Sequence, residues 1–231
     1  VFASFLCVGG VLLLLAFLKL DAGSKNRIFP QGVLNPRTVP GSGLVMMSSL
    51  FMATIALTVY GPLLMYIIFG AEPLVAGYII ALESLGWTVV AITTSGVSVR
   101  VEARLIRLGS VLVSISMVGL IYAMPSGPIW LIALLSSIMG IGFGMSWSFV
   151  SKRIIANVSE AERAQASASI PTFMRVSMAL GSALSGIIAN FSGFSEDSSV
   201  EVAQNVAFWC FAAFVPLIVV GLFTAWRVSR E

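Results

Sequence analysis

Seven long apolar runs constrain this chain more than any other feature: approximately residues 1–18, 43–70, 74–98, 108–124, 129–150, 166–190 and 204–226. A helix crossing the hydrocarbon core needs about 20 such residues. The runs are continuous, not alternating, which disfavours barrel strands. An all-α, polytopic membrane bundle of seven spans is therefore expected, the fourth helix reaching back towards Leu105. Charge agrees with this. Only 10% of the 231 residues are charged, against about 25% in a soluble domain. That is too few to cover a water-facing surface, so an ordinary soluble enzyme, a disordered chain and a nucleic-acid reader are excluded. There is no His, which removes the commonest general base and metal ligand. Cys7 and Cys210 sit inside apolar runs and read as small hydrophobes, not as a disulfide or metal framework. No metal or cofactor is expected. The chain opens at Val1 within an apolar run and without a basic leader, so it reads as a piece of a longer protein, not as a signal peptide.

The connections between runs carry the orientation signal. Lys19, Lys25, Arg27 and Arg37 lie in the first connection; Arg100, Arg104 and Arg107 lie between the third and fourth runs. Lys152, Arg153 and Arg163 lie between the fifth and sixth, and Arg227 and Arg230 follow the last. Twelve of the 13 basic residues thus fall on one side, while the opposite connections hold only Glu72, Glu196, Asp197 and Glu201. The positive-inside rule makes the basic side cytoplasmic, with the N-terminus outside and the C-terminus inside.

The first connection, about 20–42, contains Pro30, Pro36 and Pro40 with several Gly and Ser. This composition suits an irregular, partly mobile linker. The remaining connections are short, so consecutive helices are expected to be antiparallel neighbours. The chain divides into a leading helix (1–19), a cytoplasmic linker (20–42) and a six-helix unit (43–231).

Several stretches resemble the C-terminal half of major facilitator superfamily transporters. Tyr60-Gly61-Pro62-Leu63-Leu64, then Phe69 to Gly77, looks like the end of that family's seventh helix and the start of its eighth. Gly96, Arg100 and Arg104 are similar to its loop signature, with Arg100 standing at the acidic position. Gly140-Ile141-Gly142-Phe143-Gly144 falls in the tenth helix of the family order, and Glu160 to Arg163 leads into Ala179–Gly186, which resembles the eleventh. The resemblance covers nearly the whole chain and is closest to the drug:proton antiporter branch. It implies alternating access, a small-molecule substrate, protons as coupling ion and a preceding N-terminal half. A bacterial inner-membrane location follows from the same likeness.

Two charges lie deep in the runs, Glu83 and Arg175. At 1.5 Å per residue they stand roughly 8 Å apart in depth, nearly within reach of extended side chains. An acidic or Arg residue at a helix centre is unfavourable by roughly 2.5–3.5 kcal/mol on insertion scales, which makes it a functional candidate. Glu83 is read as a proton carrier, as a binder of a cationic group, or as half of a structural pair with Arg175. Arg175 alternatively snorkels towards the basic side. Trp87, one turn after Glu83, offers an aromatic face to a lipophilic cation or packs against its neighbours. Tyr60, beside Gly61-Pro62, marks an expected helix break with freed carbonyls.

Helices in lipid approach closely through small residues. Gly140 and Gly144 share one face, as do Ser182 and Gly186; Gly181 lies beside them. The sixth run carries a stripe of Ala168, Thr172, Arg175, Ala179, Ser182 and Gly186. These residues serve either tight packing or a sliding, water-lined face. Ser159 and Glu162 read as a capping box. Trp130, Trp209 and Trp226 read as interfacial anchors, and Glu196, Asp197 and Glu201 as a solvated turn.

Secondary transport is the function expected, with lipid, a small molecule and protons as partners. A seven-helix receptor fits the span count, but a retinal protein needs a lysine in the last run, and 204–226 has none. A membrane enzyme needs a cluster of nucleophile, base or metal ligands, and none appears in the sequence.

Overall fold

The structure is a computed structural model that describes residues 2–24, 27–33, 35–194 and 199–230, with side chains from residue 8 onward. Val1, Lys25, Glu196, Asp197 and the side chain of Cys7 lie outside the described residues. Among these the chain is helical without strands. The helices are α1 (Phe2–Gly23), α2 (Val39–Phe69), α3 (Pro73–Thr93), α4 (Val99–Ser126), α5 (Ile129–Ala156), α6 (Arg163–Phe191), α7 (Val200–Ala212) and α8 (Val215–Val228), with a 3-10 turn at Glu160–Glu162. Six spans among the described residues are long and apolar enough to cross a membrane: α2, α3, α4, α5, the 3-10 turn with α6, and α7 with α8. The protein is a multi-pass, all-helical membrane protein. The sequence suggested seven spans; the first of those runs is α1, a helix whose side chains are described only from residue 8.

Local chemistry sets the boundaries. Thr38 caps α2, its hydroxyl accepting from the Gly41 N–H at 3.1 Å, and Pro40 falls in the first turn where no amide partner is needed. Gly70, at φ 64, closes the same helix by donating to the carbonyls of Met65 and Tyr66. Pro62 does not end α2. It removes one intrahelical donor, yet the helix runs through it to Phe69. The expected break at Tyr60-Gly61-Pro62 is absent, and an interruption occurs instead at Ala213–Phe214. There Pro216 opens α8 and splits the last apolar run into α7 and α8.

Helices also extend further into the basic connections than their apolar runs suggest. α4 starts at Val99, so Arg100, Arg104 and Arg107 stand on its first turns; α5 continues to Ala156 and carries Lys152 and Arg153. Only Gly96 of the loop signature remains in the turn, at φ +83. A non-glycine residue would be strained there.

α2 is the hub, packing on α5, α6, α7 and α8, while α5 lies between α3 and α4. The expectation that consecutive helices are neighbours holds for α4 and α5 but not for α3 and α4, because α3 docks on α5 instead. Small residues decide this. A Cβ at Gly140 would overlap the backbone of Glu83, and one at Gly144 would meet the Trp87 carbonyl at 2.6 Å. On the adjoining face of α5, a Cβ at Gly142 would meet the Gly109 carbonyl of α4, also at 2.6 Å. Three glycines within five positions thus let one helix seat two others at backbone contact.

The linker makes specific contacts where it is described. The Asp21 carboxylate accepts from the amides of Ile28 (2.6 Å) and Phe29 (3.1 Å), and Phe29 and Val33 are buried. Glu162 forms half of the expected capping box: its carboxylate accepts from the Ser159 amide, while the Ser159 hydroxyl turns to the carboxylate and not to the Glu162 amide. One of its oxygens accepts from the Ser159 hydroxyl at 2.6 Å and the other from the Gln31 amide at 2.8 Å. Gln165 adds a bond to the Arg27 carbonyl at 3.0 Å. These contacts fasten the linker to the start of α6.

Candidate functional site

α3 is the least enclosed of the six spans, and it carries both Glu83 and Trp87. Their spacing of four places them on one helix face. Glu83 is half-buried and its backbone lies under Gly140. Trp87 belongs to a four-ring group drawn from three helices. It stacks on Phe143 (5.3 Å between centroids, 21° between planes), and Phe143 stacks on Phe51 (4.9 Å, 27°). Trp147 completes the group, edge-on to Phe51 at 5.0 Å and tilted against Trp87 at 5.7 Å. Such offset and edge-to-face pairs contribute about 0.5–1.5 kcal/mol each beyond burial. The result is a fixed aromatic cluster, with Phe143 buried and the other three rings part-buried, one helical turn from a carboxylate.

The other expected residues lie elsewhere. Arg175 is exposed on α6, and among the described residues no ion pair joins it to Glu83. α3 and α6 make no substantial contact; both pack on α2. Tyr60 sits on α2 facing Gly186, where an added Cβ would stand 3.4 Å from its hydroxyl. Gly181 of α6 lies against the Met52 backbone of α2. The structure therefore unites Glu83, Trp87, Gly140 and Gly144, pairs Tyr60 with Gly186, and leaves Arg175 apart.

Sequence reasoning missed Phe51, Phe143 and Trp147. The last two were detectable, since Phe143 and Trp147 repeat the spacing of Glu83 and Trp87, and Phe143 is enclosed by glycines. Phe51 had no comparable signal.

A second polar group was also missed, at the basic end. Glu102, 3% exposed, accepts from the Lys152 ammonium at 2.7 Å. Arg153 donates to the Val228 carbonyl at 2.6 Å, and Arg107 donates to the Ser229 hydroxyl at 2.6 Å and its carbonyl at 3.3 Å. Arg107 also covers the Trp226 ring at 5.0 Å. Two cations thus meet the carbonyl end of α8, where the helix dipole favours positive charge. Arg100 and Arg104 remain exposed. Trp130 and Trp209 are also exposed, as interfacial anchors require.

No protein-family model matches the chain. Two proteins of Mycobacterium tuberculosis, from strains CDC 1551 / Oshkosh and ATCC 25618 / H37Rv, are similar to it, and both are named as probable multidrug-efflux transporters. Each is 24% identical over 98% of this chain and 47% of its own length. The chain spans about half the length of these relatives, and its likeness to transporters rests on nearly all of its own residues.

Proposed function

We propose that this chain is the second half of a major facilitator-type secondary transporter, exporting lipophilic cations by alternating access in exchange for protons. The observation that carries the reading is the Glu83 carboxylate on the least enclosed span of the bundle, one turn from Trp87, the part-exposed α3 member of the Trp87–Phe143–Phe51–Trp147 cluster. A cation with aromatic substituents gains from both features: the rings attract it by their quadrupoles and the carboxylate neutralises it. The same carboxylate takes a proton once the substrate has left, which couples the two fluxes. The relatives' names support an efflux role.

In this reading α2–α4 and α5–α8 are two inverted three-span repeats, and the substrate binds near the midplane against the preceding half of the full-length protein. The basic end faces the cytoplasm of a bacterial cell, so the C-terminus is cytoplasmic. α1 then closes the preceding half, and the linker joins the two. Gly140 and Gly144 keep the site's floor rigid, while Tyr60 and Gly186 mark the contact of α2 and α6.

The test is efflux of ethidium from cells producing the full-length protein with Glu83→Gln or Glu83→Asp. The Gln variant is expected to lose proton-driven efflux by about tenfold or more, and the Asp variant to retain part of it, since only a carboxylate both titrates and pairs with the cation. Undiminished proton-coupled efflux by Glu83→Gln would overturn the reading.

A further inference from the structure

A cavity of about 360 Å³ lies between α1, the linker, α2 and α6, away from Glu83, Trp87 and Tyr60. This volume falls in the range of roughly 300–1,000 Å³ common to small-molecule sites. Its walls include Leu14 and Phe17 of α1, Phe29 of the linker, Met52 of α2, and Phe173 and Val176 of α6. Three rings form a continuous aromatic edge. Phe29 meets Phe17 at 6.0 Å and 83°, and Phe173 at 5.1 Å and 58°. No charged side chain lines the space.

Two hydroxyls on the α2 wall are left over, and Ser49, 7% exposed, carries one of them. The Ser48 hydroxyl, on the α2 wall, is shielded from solvent and has no hydrogen-bond partner among the described residues. Thr172 and Ser177, on the α6 wall, are satisfied within their own helix by the carbonyls of Ala168 and Phe173. A buried hydroxyl without a partner is costly, and a ligand oxygen reached by rotation about χ1 removes that cost.

We infer that this cavity is a binding site for an uncharged aromatic molecule carrying one hydroxyl or carbonyl group. An ion has no counter-charge here and would be desolvated at a loss. Phe17, Phe29 and Phe173 offer edges and faces to a planar ring. Phe29 and Val33 form the linker-side wall of this half-open space, and Asp21, Glu162 and Gln165 hold that segment in place. The site is independent of Glu83 and selects by absence of charge, the opposite of the proposed transport site.

The experiment uses the full-length protein in lipid nanodiscs, photolabelled with a phenol bearing a diazirine and mapped by peptide mass spectrometry. Label is expected on peptides containing Met52 and Phe173–Ser177, displaced by excess 2-naphthol but not by tetraphenylphosphonium or a long-chain fatty alcohol. Val176→Trp fills the space and is expected to reduce labelling about tenfold, with helical circular dichroism unchanged. Ser48→Ala removes a single oxygen and keeps the test valid if the larger side chain disturbs folding. It is expected to weaken 2-naphthol competition about fivefold, the worth of one neutral hydrogen bond. Label spread over outward positions such as Tyr78 and Trp130 would overturn the inference. So would equal displacement by the fatty alcohol, or full labelling and competition in Ser48→Ala.

Discussion

Gly140 of α5 is seated on the backbone of Glu83 of α3, so closely that a single methyl group on the glycine would overlap the Glu83 carbonyl. The acidic side chain is therefore held by a helix that cannot slide without losing backbone contact. One turn on, Gly144 does the same beneath Trp87.

Gly140→Ala and Gly144→Ala are each expected to destabilise the bundle by about 1–3 kcal/mol, because α3 must move off α5 to admit the methyl group. Gly186→Ala, whose added carbon would meet only the Tyr60 hydroxyl at 3.4 Å, is expected to leave stability nearly unchanged. Thermal unfolding in detergent, followed by circular dichroism, checks the contrast.

Glu102 and Lys152 form an unequal pair, with side-chain exposures of 4% and 62%. Lys152→Ala strands a buried carboxylate and is expected to cost about 1 kcal/mol, discounted because the ammonium is well solvated. Glu102→Gln, which leaves no charge behind, is expected to cost less. An equal or reversed order in thermal unfolding would count against the pairing.

Arg107 and Arg153 hold the last carbonyls of α8. Removing both side chains is expected to accelerate amide hydrogen exchange over Trp226–Arg230 by about tenfold, with α5 exchanging as before. Exchange mass spectrometry resolves the two regions.

The Glu162 carboxylate ties the linker to α6 through the Gln31 amide. In Glu162→Ala, trypsin is expected to cut after Arg27 and Arg37 several-fold faster than in the parent chain, because the segment must detach from the helix to enter a protease. Unchanged cleavage kinetics would show that Asp21 and Gln165 hold the linker without it.

Trp87 supplies one face of the four-ring group. If the proposed site binds lipophilic cations, Trp87→Ala weakens tetraphenylphosphonium binding by about tenfold, and Trp87→Phe by less, since a smaller ring keeps part of the quadrupole attraction. Titration by quenching of the remaining tryptophans measures both.

Much of this architecture could be read from the sequence. Runs of apolar residues locate helices because an unpaired backbone is intolerable in lipid. The helix ends were harder to place. Arg100, Arg104, Lys152 and Arg153 interrupt the hydropathy, yet each stands on a helix because a long cationic side chain reaches outward without ending one. Pro62 and the Ala213–Phe214 interruption show the same limit from the other side. Proline inside a helix lowers its propensity, but packing against neighbours decides whether the helix continues. Glu83 and Trp87 were singled out as candidates from depth and spacing alone. Phe51 was not, because its place depends on which helices meet, and hydropathy does not record that.

The interruption at Ala213–Phe214 also divides the last span by what holds its ends. α7 begins at Ser199, whose hydroxyl accepts from the Val202 amide at 3.4 Å, whereas α8 is fastened at its far end to α4 and α5 by Arg107 and Arg153. The span is thus a two-part strut, its basic end pinned by cations from two other helices.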